Sequence, residues 1–233
     1  MRKLFSIFLI FGLVVILFSM ELKVGKVDTE CSLAVIKGVP ATRIVASTDE
    51  QYKISTFGDD AILFAEGGNI KDGETYLVVS KIETLKNGYF VYRMAGYVKV
   101  LRHEANKAVV RVEKSCTGVR IGDYIMKFTP EPEFTVKEDR ITREAVAPKG
   151  NSLKIVFLES EFFQLGDSAW AVIDGGEKQG LKRGDILLIF RPVEKVKKPI
   201  GKAVIIRTSK DYSVIKTFST IDAVLKGDLV FER

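Results

Sequence analysis

Two stretches of equal length carry the reading: Gly96–Phe128, GYVKVLRHEANKAVVRVEKSCTGVRIGDYIMKF, and Gly201–Arg233, GKAVIIRTSKDYSVIKTFSTIDAVLKGDLVFER. They align without a gap, pairing Gly96 with Gly201, Val109 with Val214, Val119 with Val224 and Gly122-Asp123 with Gly227-Asp228. Upstream, Phe57-Gly58-Asp59-Asp60-Ala61 running to Glu66-Gly67-Gly68 lies over Leu165-Gly166-Asp167-Ser168-Ala169 running to Asp174-Gly175-Gly176. Between these blocks, Asp72-Gly73-Glu74 before Tyr76–Val79 matches Arg183-Gly184-Asp185 before Leu187–Phe190. Identities are few. Yet turns recurring in the same order, with apolar runs between them, are the signature of an internal repeat.

Within a copy the period is that of strands. Val109, Arg111 and Glu113 alternate with Val110 and Val112. The runs Tyr76–Val79, Tyr97–Leu101, Ala108–Val112 and Tyr124–Phe128 are short, rich in β-branched and aromatic residues, and bounded by Gly, Asp or Asn. Copy two repeats this at Ala169–Ile173, Ile186–Phe190, Lys202–Ile206, Ser213–Phe218 and Leu229–Phe231. Asn87-Gly88 is the strongest hairpin signal. The expectation is an all-β chain of two tandem small SH3-like β-barrels, following an N-terminal signal or anchor helix. The expected division is a signal or anchor over 1–20, a lead over 21–35, a first barrel over 36–128, a linker over 129–149 rich in Pro and charge, and a second barrel over 150–233. The turn pairs Gly58-Asp59, Gly122-Asp123, Gly166-Asp167, Gly184-Asp185 and Gly227-Asp228 are expected to be structural. Gly takes a positive φ there, and Asp bonds the following backbone N–H. They are single acids in separate turns, without the dense spacing of a calcium loop, so no metal is expected.

The 233 residues carry 36 Lys and Arg against 30 Asp and Glu, with one His and two Cys. This composition excludes a disordered or low-complexity chain. Zinc clusters and Cys-x-x-Cys chemistry are excluded by the lone His103 and the distant pair Cys31 and Cys116. Met1-Arg2-Lys3 followed by the apolar run Leu4–Phe18 has the order of an export signal. Its length is at the lower edge for spanning a bilayer, and its cleavage pattern (Leu17 and Ser19) is poor, so cleavage and retention as an anchor both stay open. Either way the expected location is the periplasm or cell envelope. Without residues 1–20 the balance is 34 basic to 30 acidic residues. That is no nucleic-acid charge pattern, and membrane contact is expected only through the N-terminal segment. In an oxidising compartment Cys31 and Cys116 form a candidate disulfide.

The series Asp174-Gly175-Gly176, Gly180-Leu181-Lys182-Arg183-Gly184-Asp185-Ile186-Leu187, Ile189-Phe190-Arg191, Pro199-Ile200-Gly201-Lys202-Ala203-Val204 and Lys226-Gly227-Asp228-Leu229-Val230 is distinctive. It resembles the C-terminal region of bacterial envelope proteins that carry a LysM peptidoglycan-binding domain. It is also similar to the SH3-like C-terminal domain of the flagellar assembly protein T family. Copy one fits through Arg43-Ile44-Val45-Ala46-Ser47, Gly58-Asp59 and Gly122-Asp123. The resemblance spans residues 40–233 and implies fold more than task. The LysM domain and the further N-terminal domains of the flagellar family are lacking, so neither glycan recognition nor a flagellar ring role carries over.

Ser115-Cys116 and His103 lack the motifs of a nucleophilic site, so no enzyme and no cofactor are expected. Gly67-Gly68 and Gly175-Gly176 lack the strand-to-helix setting and Lys of a phosphate loop. Trp170 and Phe190 are expected to fill the second barrel, and Phe162 and Phe163 to point to opposite faces of a strand. The groove between barrels is the preferred candidate binding site, and the basic hairpin of Lys195, Lys197 and Lys198 is the second. The expected function is a non-catalytic scaffold or adaptor binding another envelope protein; the alternative is a module binding peptidoglycan directly.

Overall fold

In a computed structural model the described residues are 20–48, 56–129, 131–138, 151–159, 169–194 and 196–232. The chain begins with β1 (Met20–Val24), a single turn α1 (Lys26–Glu30) and β2 (Leu33–Lys37). There follow β3 (Thr42–Ser47), β4 (Ile62–Glu66), β5 (Thr75–Thr84), β6 (Tyr89–Glu104), β7 (Lys107–Ser115) and β8 (Tyr124–Met126). Strand β9 (Phe134–Glu138) lies between the two repeats. The second copy has β10 (Leu153–Leu158), β11 (Trp170–Ile173), β12 (Ile186–Val193), β13 (Val196–Thr208), β14 (Ser213–Phe218) and β15 (Leu229–Glu232). The N-terminal segment read as signal or anchor lies outside the described residues, as do Gly166, Asp167, Phe162, Phe163 and Lys195.

Two closed six-stranded antiparallel barrels result. The second closes in the order β10-β11-β14-β13-β12-β15, and the first in the matching order β3-β4-β7-β6-β5-β8, with β2 added outside β6. The registers agree through the centre of each barrel. Val78 faces Gly96 as Ile189 faces Gly201, each followed by a bulge. Val100 faces Val110 as Ile205 faces Ile215, and both ladders slip at the next residue, Arg102 or Arg207. A bulge bends a strand, so the repeated slips set the same curvature in both barrels.

Each barrel is filled by its inward residues. Ile44, Leu63, Val78, Val98, Val110 and Ile125 lead the first core; Ile155, Ile173, Leu187, Ile189, Ile205 and Val230 lead the second. Trp170 and Phe190 correct the expectation. Alternation along β11 sends Ala171 and Ile173 inward, leaving Trp170 on the outer face against both neighbouring apolar clusters. Phe190 follows the β12 bulge and packs edge-on against Phe231, 5.6 Å between centroids.

The segments outside the barrels are structural too. Strand β1 pairs with β9, and this ribbon lays Val24 and Val136 on Val204, Ile206 and Phe218 of the second barrel. The long first halves of β6 and β13 run beyond their barrels as hairpin arms, paired with β5 and β12. In the first repeat β2 widens the arm to three strands.

Candidate functional site

The Gly-Asp turns come first, because they position the loops at the barrel ends. Gly122, Gly184 and Gly227 take φ of 98°, 91° and 95°, the left-handed region that disfavours a Cβ. Their Asp partners act differently from the expectation. Each carboxylate reaches back three residues: Asp123 accepts from the Arg120 N–H at 2.7 Å, Asp185 from Lys182 at 2.6 Å and Asp228 from Leu225 at 2.8 Å. The turn folds the chain back over the acid, so the N–H within reach precedes it. Gly58 departs further. It has no positive φ; Asp60 does, at 64°, while Asp59 accepts from the Ser115 N–H at 2.6 Å across the barrel.

The homologous acids Asp123 and Asp228 have unlike partners. Asp228 is clasped by Arg191, whose Nε and Nη2 donate at 2.8 and 2.7 Å. At the equivalent place in the first barrel, Ser80 donates to Asp123 at 2.6 Å. Burial pushes the Asp123 carboxyl above its ordinary range, outweighing the Ser80 hydroxyl and Arg120 that act the other way. The Asp228 carboxylate in turn raises the Arg191 guanidinium.

The basic hairpin is largely engaged within the chain. Lys198 donates to Asp222 at 2.7 Å and holds that carboxyl below its ordinary range, and Lys197 sits 4.5 Å over the Phe231 ring. The tip residues Val193 and Val196 are exposed.

The groove between the barrels is not an open receptor. The chain's own lead fills it, which corrects the expectation of a site there. The β5–β6 arm and β2 pack Leu33, Tyr89 and Val91 onto Phe157, Val172, Tyr212 and Val214 of the second barrel. Tyr89 donates to Asp211 at 2.8 Å, and Arg93 to Glu159 at 2.9 Å. Arg207 of β13 donates to Glu131 at 2.8 Å and to the Thr29 and Leu33 carbonyls at 2.9 and 3.1 Å. The α1 turn is a wedge: Asp28 pairs with Lys216 of the second barrel at 2.5 Å, and Glu30 with Lys114 of the first at 2.7 Å. Tyr97 donates to the Glu30 carbonyl at 3.0 Å, and burial raises its phenol. Cys31 and Cys116 are bridged, Cα atoms 5.4 Å apart, fastening the wedge to the first barrel.

The wedge residues were not singled out from sequence. The disulfide candidate was the one signal pointing to that region. The residues weighed for nucleophilic chemistry do not converge. Cys116 is in the disulfide, and His103 pairs with Asp72 at 2.6 Å at the far end of the β6–β7 ladder from Ser115. A shallow depression of about 360 Å³ on the first barrel is lined by Arg43, Glu66 and Tyr124. Fold and surface together define a tandem-barrel protein. No known family model matches the chain, and no curated protein matches it.

Proposed function

We propose that this protein is a non-catalytic scaffold or adaptor of the bacterial envelope, holding another envelope protein on the outer surface of its two barrels. The observation that carries this reading is the locking of the barrels into one body by the wedge, Arg207 and the disulfide. Such a body presents loops and arms at fixed separation, while interiors filled by side chains leave recognition to the surface. The export-type N-terminus and the disulfide agree with an oxidising compartment. The likeness to SH3-like domains of LysM-containing and flagellar assembly proteins favours an envelope role in a wall or flagellar-type assembly.

The test is co-sedimentation with purified peptidoglycan sacculi alongside cross-linking in envelope fractions. The adaptor reading expects a discrete protein cross-link and no pelleting with sacculi. Pelleting that muramidase digestion abolishes would overturn it in favour of direct wall binding.

A further inference from the structure

The arm of the second barrel and the segment between β14 and β15 leave the barrel at the same end. There Phe190 of β12 faces Leu229, the first residue of β15, and Phe218, the last of β14, faces Lys202 of β13. This end carries Val193 and Val196 on the arm and Ile221 and Leu225 on the segment, each between 42% and 69% exposed. They are four of the nine large apolar side chains that are exposed among the described residues, and the other five are spread over α1 and the first repeat. An exposed apolar cluster marks an interaction surface.

One ionic network joins the four. Val193 and Val196 are cross-strand partners at the arm tip, and Arg191 and Lys198 are the pair two positions back, on the same face. Lys198 donates to Asp222, next to Ile221, at 2.7 Å, and the Ile221 N–H donates to the Ile200 carbonyl at the base of the arm. Arg191 clasps Asp228, which also accepts from the Leu225 N–H at 2.8 Å. Two cations thus neutralise two carboxylates in the middle of the cluster. Around it, Lys197 and Lys226 are exposed on the arm and the segment against the acid Glu194.

Two observations say what the surface meets. The arm is not built to receive a strand. In the first repeat the Met94 N–H donates to Ser32 as β2 pairs with its arm, but the counterpart of Met94 is Pro199, which has no N–H. The second observation is where the N-terminal apolar run arrives. Only Ser19 separates Leu4–Phe18 from β1, and the β1–β9 ribbon packs on Val204 and Phe218. Those residues lie on β13 and β14, the strands that lead out of the arm and into the segment. A run held in a bilayer keeps the second barrel next to the lipid.

We propose that Val193, Val196, Ile221 and Leu225 enter the headgroup boundary of a bilayer containing anionic phospholipid, with Lys197 and Lys226 at the phosphates. Lysine stems lie along apolar surface while their ammonium groups stay in water. Apolar burial and attraction to anionic lipid add together at such a boundary. The neutralised centre keeps the carboxylates of Asp222 and Asp228 from opposing the approach. This is a second membrane contact beside the one expected of the N-terminal segment, and it does not depend on the adaptor reading.

Tryptophan quenching in the full chain tests this. The protein is reconstituted in vesicles of phosphatidylcholine and phosphatidylglycerol that carry brominated acyl chains, so that a tryptophan entering the lipid loses fluorescence. Wild type, whose one tryptophan is Trp170, supplies the baseline. The signal gained by Val196→Trp is expected to be quenched about twofold more than that gained by Leu101→Trp, an exposed position on the first barrel. Ile221→Trp repeats the reading from the other half of the cluster should Val196→Trp fail to fold. Adding Val193→Asp should remove the excess, and vesicles of phosphatidylcholine alone should reduce it. Whatever the N-terminal run does, it does in every variant, so the excess reports the tip. Quenching at Val196→Trp no greater than at Leu101→Trp would overturn the proposal in favour of a protein occupant. An excess that survives Val193→Asp, or one undiminished on phosphatidylcholine alone, would overturn it as well.

Discussion

Tyr89 and Asp211 lie on different barrels, and their hydrogen bond sets a pH window. The Asp211 carboxyl is held below its ordinary range by the Lys178 ammonium and then by the Tyr89 hydroxyl. Its contribution is therefore present above the unfolded carboxyl value and lost as pH falls through the lower folded one. The Tyr89 phenol is raised by the same bond, so its contribution is full below the unfolded phenol value near 10 and is lost as pH rises through the folded one. Tyr89→Phe should thus be less stable than wild type across the neutral range. The difference should shrink at both extremes, as urea titrations at a series of pH values would show. Because Tyr89→Phe keeps the ring contact with Tyr212, 5.1 Å between centroids, a gap that persists unchanged at strongly alkaline pH would show that the hydroxyl's bond to Asp211 is not its source.

Among the elements, α1 shows how a five-residue turn can matter out of proportion to its length. It is too short to be stable alone, and its place depends on what it touches. Asp28 accepts from the Gly25 N–H at 3.1 Å, and its other oxygen meets Lys216. The Cys31–Cys116 bridge, spanning 85 residues of sequence, restrains the wedge in the unfolded chain as well. Replacing both cysteines by Ser should cost roughly 2–4 kcal/mol, measured by denaturant unfolding of wild type and variant without reductant. Limited proteolysis should then cut the lead before either barrel. An unchanged midpoint would show that packing alone holds the wedge.

For the whole molecule, Arg207 ties the second barrel to both the linker and the lead. It joins β13 to the linker through Glu131 and to the lead through two carbonyls. Removing it leaves Glu131 with Arg183 as its remaining cation and takes a donor from the Thr29 and Leu33 carbonyls, a loss of about 1–3 kcal/mol. The wild type should unfold in one calorimetric transition, because the barrels share apolar and polar contacts. Arg207→Ala should separate this into two transitions. A single transition in the variant, shifted little, would place the coupling in the apolar contact around Leu33 and Tyr89.

How much was legible follows from which interactions are local. The repeat, the all-β class and the paired barrels could be read because turn glycines and alternating apolar residues report the backbone and the inward face directly. Gly122 and Gly227 carried their conformation in their own identity, and so did the runs around Val109 and Val214. The outer faces could not be read this way. Val204 and Phe218 look like core residues, and Trp170 looks like barrel filling, until the β1–β9 ribbon and the β2 arm are seen to cover them. Short range likewise hid Arg207, which is one basic residue among many until folding brings Thr29, Leu33 and Glu131 around it. Sequence by itself determined the barrels, since each strand's period and each turn's φ are properties of a few neighbouring residues. The tertiary structure alone decided that the barrels form one body with its own lead as the filler, because those contacts join residues from 66 to 188 positions apart.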